Sequence, residues 1–102
     1  MAYNLVMGMN VITLKTLIEF WTLYPEAEAP LRAWVKHMRA NEYASFSDVH
    51  DEFGSADWVH GFIVFNIGGN KYRLIILPNF EGKRFYVEAI LTHGQYNDWR
   101  PA

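Results

Sequence analysis

The stretch FIVFNIGGNKYRLIIL, residues 62–77, decides the fold of this chain. Its first part, Phe62–Ile67, is a nearly continuous apolar run, which is typical of a central β-strand. The next three residues, Gly-Gly-Asn at 68–70, form a strong turn signal because glycine and asparagine accept positive φ angles at little cost. Lys71–Leu77 then predicts a second strand, so the stretch indicates a β-hairpin.

A further strand follows on the C-terminal side of this hairpin. Residues 79–83 predict a second turn, and Arg84–Leu91 predicts the next strand. Neighbouring strands that share one core must align their apolar faces, which fixes the parity of the register. The apolar sets are then Tyr72, Leu74 and Ile76 in one strand and Phe85, Val87, Ala89 and Leu91 in the other. The opposite face is predicted to carry Lys71, Arg73, Arg84, Tyr86 and Glu88.

Helical periodicity dominates the N-terminal half. A short strand is predicted at Asn10–Ile12, followed by a helix that begins after a capping Thr13 and ends at Tyr24-Pro25. A second helix begins near Pro30, and a short third one lies within Ser45–Phe53. The apolar stripes of the first two helices are Leu14, Leu17, Ile18 and Trp21, then Leu31, Trp34, Val35 and Met38. This order predicts an α+β domain with two N-terminal helices packed on a small antiparallel sheet.

Composition limits the class of protein. With 102 residues the chain has room for one domain, in which residues 1–8 are expected to be an N-terminal extension and Met9 is an alternative start. The absence of cysteine excludes disulfides, thiol catalysis and Cys-based zinc sites. The four histidines lack HxxH or HExxH spacing, so we expect neither a metal site nor a cofactor. No apolar run approaches the roughly 18 residues of a membrane span, and no secretory signal is evident, so a cytoplasmic protein is expected.

Charge is distributed unevenly along the chain. Residues 1–59 carry four Lys/Arg and eight Asp/Glu, a balance of −4, whereas residues 60–102 carry five and three, a balance of +2. A phosphate-facing surface is therefore expected in the C-terminal half. One basic stripe lies outside that half, on the second helix: Arg32, Lys36 and Arg39. It fits either a solvated surface or a contact for RNA or an acidic partner.

The charged strand face and the residues after it form the candidate site. The pentapeptide THGQY at 92–96 follows the last strand, so basic, acidic and aromatic side chains are expected to converge at one open sheet face. Taken singly, these residues fit structural roles better: Glu88 is able to pair with Arg73 across the strands, and the Thr and Gln of the pentapeptide fit a capping box. A lone His93 is more often structural than catalytic. Convergence of these groups distinguishes the two interpretations.

Several motifs resemble those of a known family. VFNIGGNKYRLI at 64–75 and THGQY at 92–96 resemble signatures of the HigB-type toxins, and LKTLIEFW, YPEA and PLRAW in the helical half agree with them. The resemblance covers residues 9–96. It implies a RelE-like fold and a ribosome-dependent mRNA endonuclease of a type II toxin–antitoxin system. It also implies two partners, mRNA on the ribosome and a helix-turn-helix HigA-type antitoxin that forms a hetero-oligomer with the toxin and holds it inactive.

The resemblance implies roles for individual residues. Such toxins activate an RNA 2′-hydroxyl for in-line attack on the adjacent phosphate without a metal, which requires proton transfer and cations for the developing charge. Arg73 and Lys71 match the motif and would supply charge. His93 would act as acid or base, and Tyr96 would stack on a base or orient the phosphate. Further RNA contacts are expected from Arg84, Lys83 and His50.

Three positions depart from the family pattern. Glu88 stands where an Arg is common, His50 replaces a Lys, and Asn97 replaces an Asp after the terminal Tyr. Lost cations weaken phosphate binding, and a carboxylate repels the RNA backbone. Glu88 beside Arg73 and His93 would also serve as a general base. Two hypotheses follow: an endoribonuclease, or a catalytically weak toxin-like module that binds protein or RNA.

Overall fold

Residues 8–101, the part that the computed structural model describes, contain five strands and four α-helices; most of the predicted N-terminal extension lies outside this range. The strands are β1 (Asn10–Ile12), β2 (Asp57–Val59), β3 (Phe62–Ile67), β4 (Tyr72–Asn79) and β5 (Arg84–Thr92). The helices are α1 (Leu14–Leu23), α2 (Glu28–Ala40), α3 (Phe46–Glu52) and α4 (His93–Asp98). None of the helices in this range has the length and apolar character that crossing a membrane requires. The predicted α+β class is confirmed.

Helices α1 and α2 cover one face of the sheet. All four residues of the stripe predicted on α2 are buried. The stripe on α1 is divided: Leu17 is buried together with Phe20, whereas Ile18 is 46% exposed. Leu14 and Trp21 lie with Ile18 along a groove between the two helices. The helical spacing therefore predicted α1 correctly, but not which of its sides is buried.

The starts of the helices differ in how they are capped. Thr13 precedes α1 in an extended conformation, but its side chain makes no capping hydrogen bond within the described residues, so the predicted side-chain cap is wrong. Ser45 Oγ accepts a hydrogen bond from the Asp48 N–H at 3.3 Å and caps α3. At α4, Thr92 and Gln95 form the predicted capping box, with hydrogen bonds of 3.2 and 3.0 Å. The first residues of α4 are thus firmly positioned.

The sheet contains the predicted antiparallel meander of β3, β4 and β5 and two pairings that the sequence did not predict. β2 pairs antiparallel with β3, and β1 pairs parallel with β5, which gives the order β1-β5-β4-β3-β2. β2 has three residues, too few for alternation to be recognised in the sequence. It is joined to β3 by His60 and Gly61, both with positive φ angles, 49° and 89°.

A β-bulge interrupts the pairing of β4 with β5. Ile75 pairs with Ala89 and Ile76 pairs with Val87, so Glu88 is an additional residue without a partner. The alternation of β5 changes at this point, and Ile90 is buried in the core, opposite Leu74. The predicted apolar set is therefore correct at Phe85 and Val87 and wrong at Ala89 and Leu91. Leu91 pairs with Arg73 and lies on the face away from α1 and α2.

Candidate functional site

Arg73 is the central side chain of the candidate site. Its neighbours in β4, Tyr72 and Leu74, belong to the core beneath the helices, so Arg73 points to the opposite face of the sheet. The side chain is largely buried, with 9% exposure of the residue. Its Nη2 donates to Asn70 Oδ1 at 2.7 Å, and its Nη1 donates to the Asn70 carbonyl at 3.1 Å. Asn70, in the turn before β4, therefore holds the guanidinium through two hydrogen bonds.

His93 meets this guanidinium from the first position of α4. Its Nδ1 lies 3.0 Å from Arg73 Nη2 and 3.3 Å from the Asn70 carbonyl oxygen. Its backbone N–H donates to the Lys71 carbonyl at 2.9 Å, which ties the start of α4 to the end of the turn. Within residues 8–101 the other ring nitrogen, Nε2, has no protein hydrogen-bond partner. That nitrogen is the one available to a substrate.

The two contacts of His93 Nδ1 require different positions of one proton. A guanidinium has donors only, so Nδ1 must be without a proton when it accepts from Arg73. A carbonyl oxygen only accepts, so Nδ1 must carry a proton when it bonds to Asn70. A neutral ring therefore presents Nε2–H to solvent in the first arrangement and an Nε2 lone pair in the second. The partner of Nδ1 decides whether Nε2 is a donor or a base.

Tyr96 completes the cluster from the next turn of α4. The Arg73 Cζ lies 5.9 Å from the centre of its ring, within the range of a cation–π interaction. The Tyr96 ring also stacks on Trp99 at 6.0 Å, and Trp99 packs edge-on against Phe62 of β3 at 5.7 Å. These two ring contacts hold α4 against the sheet. Since the Tyr96 ring already has two neighbours, orienting Arg73 fits its position better than stacking on a base.

Lys71 does not share the face of Arg73. It lies in the turn before β4, and its Nζ donates to Glu26 Oε2 at 2.8 Å, in the segment that leads into α2. This hydrogen bond and the attraction between the charges lower the pKa of Glu26 and raise the pKa of Lys71. The predicted placement of Lys71 beside Arg73 is wrong, because the strand begins one residue later than the sequence indicated.

Glu88 is also separated from Arg73. The residue opposite Arg73 in β5 is Leu91, and Glu88 occupies the bulge three residues before it. At about 3.3 Å per residue this is roughly 10 Å along the strand. The predicted cross-strand pair of Glu88 with Arg73 is therefore wrong, and no carboxylate of residues 8–101 takes part in the Arg73–His93 contact.

The residues expected to add RNA contacts lie away from the cluster. Arg84 pairs with Asn79 at the far end of β5, seven residues from Leu91, which is about 23 Å at 3.3 Å per residue. Lys83 lies beside it, with its Nζ 3.7 Å from Glu42 Oε1. His50 is exposed on α3, where its ring lies 5.8 Å from that of Phe46. The structure does not bring these three residues together with Arg73.

The sequence did not predict two residues of the cluster. Asn70 was assigned to the turn alone, although an amide oxygen three residues before an arginine is well placed to accept its hydrogen bond. Trp99 lies beyond the last recognised motif, and its contacts with Tyr96 and Phe62 depend on the position of α4 over β3. For Trp99 the sequence does contain a spacing signal, because an aromatic residue three positions after Tyr96 is expected to lie beside it on a helix.

A match to a known protein family shows the class of protein to which this fold and cluster belong. The HigB toxin family model, whose description is the RelE-like toxic component of a toxin–antitoxin system, matches residues 27–99. This chain belongs to the HigB toxin family. The match includes the Gly-Gly-Asn turn, Arg73, His93 and Tyr96, so the cluster lies wholly within the part of the chain that defines the family.

Curated relatives agree with this assignment. An mRNA interferase toxin HigB of Escherichia coli strain K12 is 27% identical over 92 residues, which are 87% of this chain and 88% of the relative. The mRNA interferase HigB of Shigella flexneri gives the same values. That of Escherichia coli O6:H1 is 25% identical over 92 residues, 87% of this chain and 89% of the relative. The similarity extends over most of the length of this chain and of each relative.

Proposed function

We propose that this chain is an mRNA interferase, an endoribonuclease that cuts mRNA on the ribosome by metal-independent attack of the RNA 2′-hydroxyl. The observation that carries the proposal is the contact of Arg73 with His93 on the open face of the sheet, at 3.0 Å. A fixed cation beside an imidazole supplies the two functions that phosphodiester cleavage needs, charge stabilisation and proton transfer. Membership of a toxin family and the names of the relatives support the same activity.

The first step is the binding of the scissile phosphate to Arg73. A phosphate oxygen is a stronger acceptor for a guanidinium than a neutral imidazole nitrogen, so it draws Nη2 away from His93. The ring then loses its Nε2 proton to water and takes a proton from water at Nδ1, which donates to the Asn70 carbonyl 3.3 Å away. The Nε2 lone pair is left facing the RNA. Substrate binding thereby converts His93 from a donor at Nε2 into a base.

The chemical step follows from this arrangement. Nε2 removes the proton of the ribose 2′-hydroxyl while the 2′-oxygen forms its bond to phosphorus. The P–O5′ bond breaks on the opposite side, and water supplies the proton that the leaving 5′-oxygen requires. Arg73 stabilises the negative charge that develops on the non-bridging oxygens. The products are a 2′,3′-cyclic phosphate and a 5′-hydroxyl end, and the imidazolium of His93 returns its proton to solvent.

Asn70 and Tyr96 act through Arg73. The Asn70 amide oxygen keeps the guanidinium within reach of the phosphate, and the Tyr96 ring limits its movement on the other side. We assign both as positioning residues. Lys71 is paired with Glu26 and Glu88 lies in the bulge, so neither is assigned a reacting role.

The partners follow from the class. A toxin of a toxin–antitoxin system has an antitoxin, and we propose that it is a helix-turn-helix protein of the HigA type that forms a hetero-oligomer with this chain. We place the protein in the cytoplasm, where ribosomes and antitoxin are present. Arg84, Lys83 and His50 remain candidates for contacts with RNA outside the cleavage site, because they lie far from Arg73.

The test uses purified protein and ribosomes programmed with a reporter mRNA. We expect cleavage that leaves a 2′,3′-cyclic phosphate and a 5′-hydroxyl end, and no cleavage at a position where the RNA carries a 2′-deoxyribose. A 5′-phosphate end, or cleavage that survives the 2′-deoxy substitution, contradicts the mechanism. The His93→Ala variant serves as the inactive control, and its unfolding temperature shows that the fold persists.

The alternative function is a toxin-like module that binds its partners and cleaves RNA poorly. It is favoured by the pairing of Lys71 with Glu26, which leaves Arg73 as the only cation of the motif in the cluster. The same assay at several salt concentrations separates the two functions. Wild-type protein that binds ribosomes but leaves the reporter intact at every salt concentration supports the module and excludes the interferase.

A further inference from the structure

A groove opens between α1 and α2, in the helical layer that covers the sheet. It has a volume of about 340 Å³ and is lined by Leu14, Ile18, Trp21, Arg32, Val35, Lys36 and Arg39. The side from α1 is apolar, and Ile18 is 46% exposed there. Single exposed apolar side chains are common, but here they are continuous along one concave surface. The groove therefore offers apolar area to a ligand.

The α2 side of the same groove is basic. Arg32, Lys36 and Arg39 follow at i, i+4 and i+7 and form one ridge of the helix. Within residues 8–101, only Arg32 of these three has a carboxylate partner, Glu28 at 2.7 Å, and both of those side chains are largely exposed. The ridge stands out because the N-terminal 59 residues have a charge balance of −4. Lys36 and Arg39 thus face the groove, and within residues 8–101 no carboxylate pairs with either of them.

We propose that this groove binds an acidic amphipathic segment of the antitoxin, and the proposal rests on the toxin function given above. Carboxylates on the segment pair with Lys36 and Arg39, while its apolar side chains cover Ile18 and Trp21. RNA supplies negative charge but no aliphatic side chains, so an apolar floor favours a peptide. From Leu14 to Trp21 the groove measures about 10 Å at 1.5 Å per residue, the length of two turns of a bound helix.

The position of the groove separates antitoxin binding from cleavage. α1 and α2 pack on the face of the sheet that carries Leu74, whereas Arg73 lies on the other face. A segment in the groove therefore does not touch the Arg73–His93 contact.

Site-specific crosslinking of the intact complex tests the location. The antitoxin encoded by the gene next to that of this chain is co-expressed with a chain that carries p-benzoylphenylalanine in place of Ile18. A matched chain carries the same group in place of Trp58, which is 49% exposed on β2. We expect a crosslink from position 18 to an antitoxin segment that contains Asp or Glu, and none from position 58. A crosslink from position 18 to ribosomal RNA or to a second copy of this chain, or no crosslink, overturns the proposal.

Affinity measurements test the chemistry. Trp21→Ala should weaken antitoxin binding by about 30-fold, as expected for an interface anchor. Lys36→Glu and Arg39→Glu should each weaken it by about tenfold and reduce its dependence on salt. Lys15→Glu makes the same change of charge on the exposed side of α1, outside the groove, and should bind like the wild type. Binding that is equal for all four variants overturns the proposal.

Cleavage by the wild-type chain without antitoxin is measured in parallel. A chain that cleaves the reporter but whose groove variants bind the antitoxin normally retains the proposed function and contradicts the groove. A chain that does not cleave, but loses antitoxin affinity in the groove variants, supports the groove and contradicts the interferase. The two proposals therefore fail on different measurements.

Discussion

Two arginines of this chain lie over aromatic rings, and their surroundings are opposite. Arg73 is 5.9 Å from the ring centre of Tyr96, its residue is 9% exposed, and its guanidinium donates to Asn70. Arg32 is 4.8 Å from the ring of Trp21, but its side chain is 63% exposed, and within residues 8–101 its one hydrogen-bond partner is Glu28, one turn away on its own helix. The first arginine is fixed by the fold, whereas the second is held by a weak surface contact.

The comparison shows how one pair of residue types serves two purposes. Reaction chemistry requires a cation that is already in position, since a displacement of about 1 Å is enough to reduce the rate by roughly a hundredfold. Binding of a flexible segment tolerates an exposed cation that adapts to its partner. Burial, rather than the contact with the ring, distinguishes the cleavage site from the helix groove.

The sharpest test of this comparison exchanges each arginine for alanine. Arg73→Ala should reduce mRNA cleavage by about a thousandfold, because it removes a preorganised cation at the phosphate. Arg32→Ala should instead weaken antitoxin binding, by about tenfold at most. Cleavage rates and antitoxin dissociation constants of both variants are compared with the wild type. Equal effects of the two substitutions on cleavage contradict the assignment of separate purposes.

Removing the support of Arg73 should have the next largest effect. Asn70→Ala deletes the amide oxygen that accepts from Nη2 at 2.7 Å, but it keeps the carbonyl that faces His93. We expect cleavage to fall by about 10- to 100-fold through misplacement of the guanidinium. We also expect a loss of about 1 kcal/mol in the free energy of unfolding from the lost hydrogen bond.

Addition of a free guanidinium distinguishes these two variants. It should restore part of the activity of Arg73→Ala, in which the cation is missing, and leave Asn70→Ala unchanged, in which the cation is present but mobile. Rescue of Asn70→Ala by guanidinium contradicts its assignment as a positioning residue.

The bulge residue should have a smaller effect. Glu88→Gln should change cleavage by less than about twofold, because the side chain lies roughly 10 Å from the position opposite Arg73. The pH profile of cleavage should also be unchanged, since a general base at Glu88 is not part of the mechanism. A loss of cleavage comparable to that of Arg73→Ala would restore Glu88 as the base.

The smallest expected effect concerns the pair of Lys71 and Glu26, whose side chains are 62% and 72% exposed. The pKa of Glu26 is lowered by Lys71, so its contribution to stability is present above the ordinary glutamate pKa, about 4.3, and is lost as the pH falls through the lowered pKa. The pKa of Lys71 is raised, so its contribution is lost as the pH rises beyond about 10.4. Urea unfolding of wild type and Glu26→Gln should differ slightly between these limits and converge outside them.

The control for this pair is Glu19→Gln, an exposed residue of α1 that makes no salt bridge within residues 8–101. It should show no pH-dependent difference from the wild type. A difference of the same size in both variants would mean that net charge, and not the pair, is responsible.

Much of the fold could be predicted because local and periodic signals agreed. The glycines at 68 and 69 adopt φ angles of 63° and 69°, as the turn signal requires, and the capping box forms at 92–95. Arg73 and His93 were expected on one face and are in contact. A regular β5 would put His93 on the opposite face, so the sequence predicts this contact without the bulge that produces it. The membership of the site is predicted wrongly at Lys71, Glu88 and Asn70.

The errors share a physical cause. Parity arguments assume that a strand is regular, and a single bulge at Glu88 changes the face of every residue after it. The pairing of β1 with β5 connects residues 74 positions apart, as in Val11 with Phe85, and no local pattern encodes it. The burial of α1 depends on where α2 and the sheet lie, so helical spacing alone left its orientation open.

The bulge in β5 decides on which face of the sheet the residues that lead into α4 lie. With regular alternation from Phe85 onward, His93 would share the side of Phe85, beneath α1 and α2, and would be cut off from Arg73 by the sheet itself. One surplus residue shifts it across, and Leu91 and His93 both emerge beside Arg73. Inserting or deleting one residue in β5 therefore turns His93 to the face beneath α1 and α2. Inserting or deleting two residues keeps His93 on the face of Arg73.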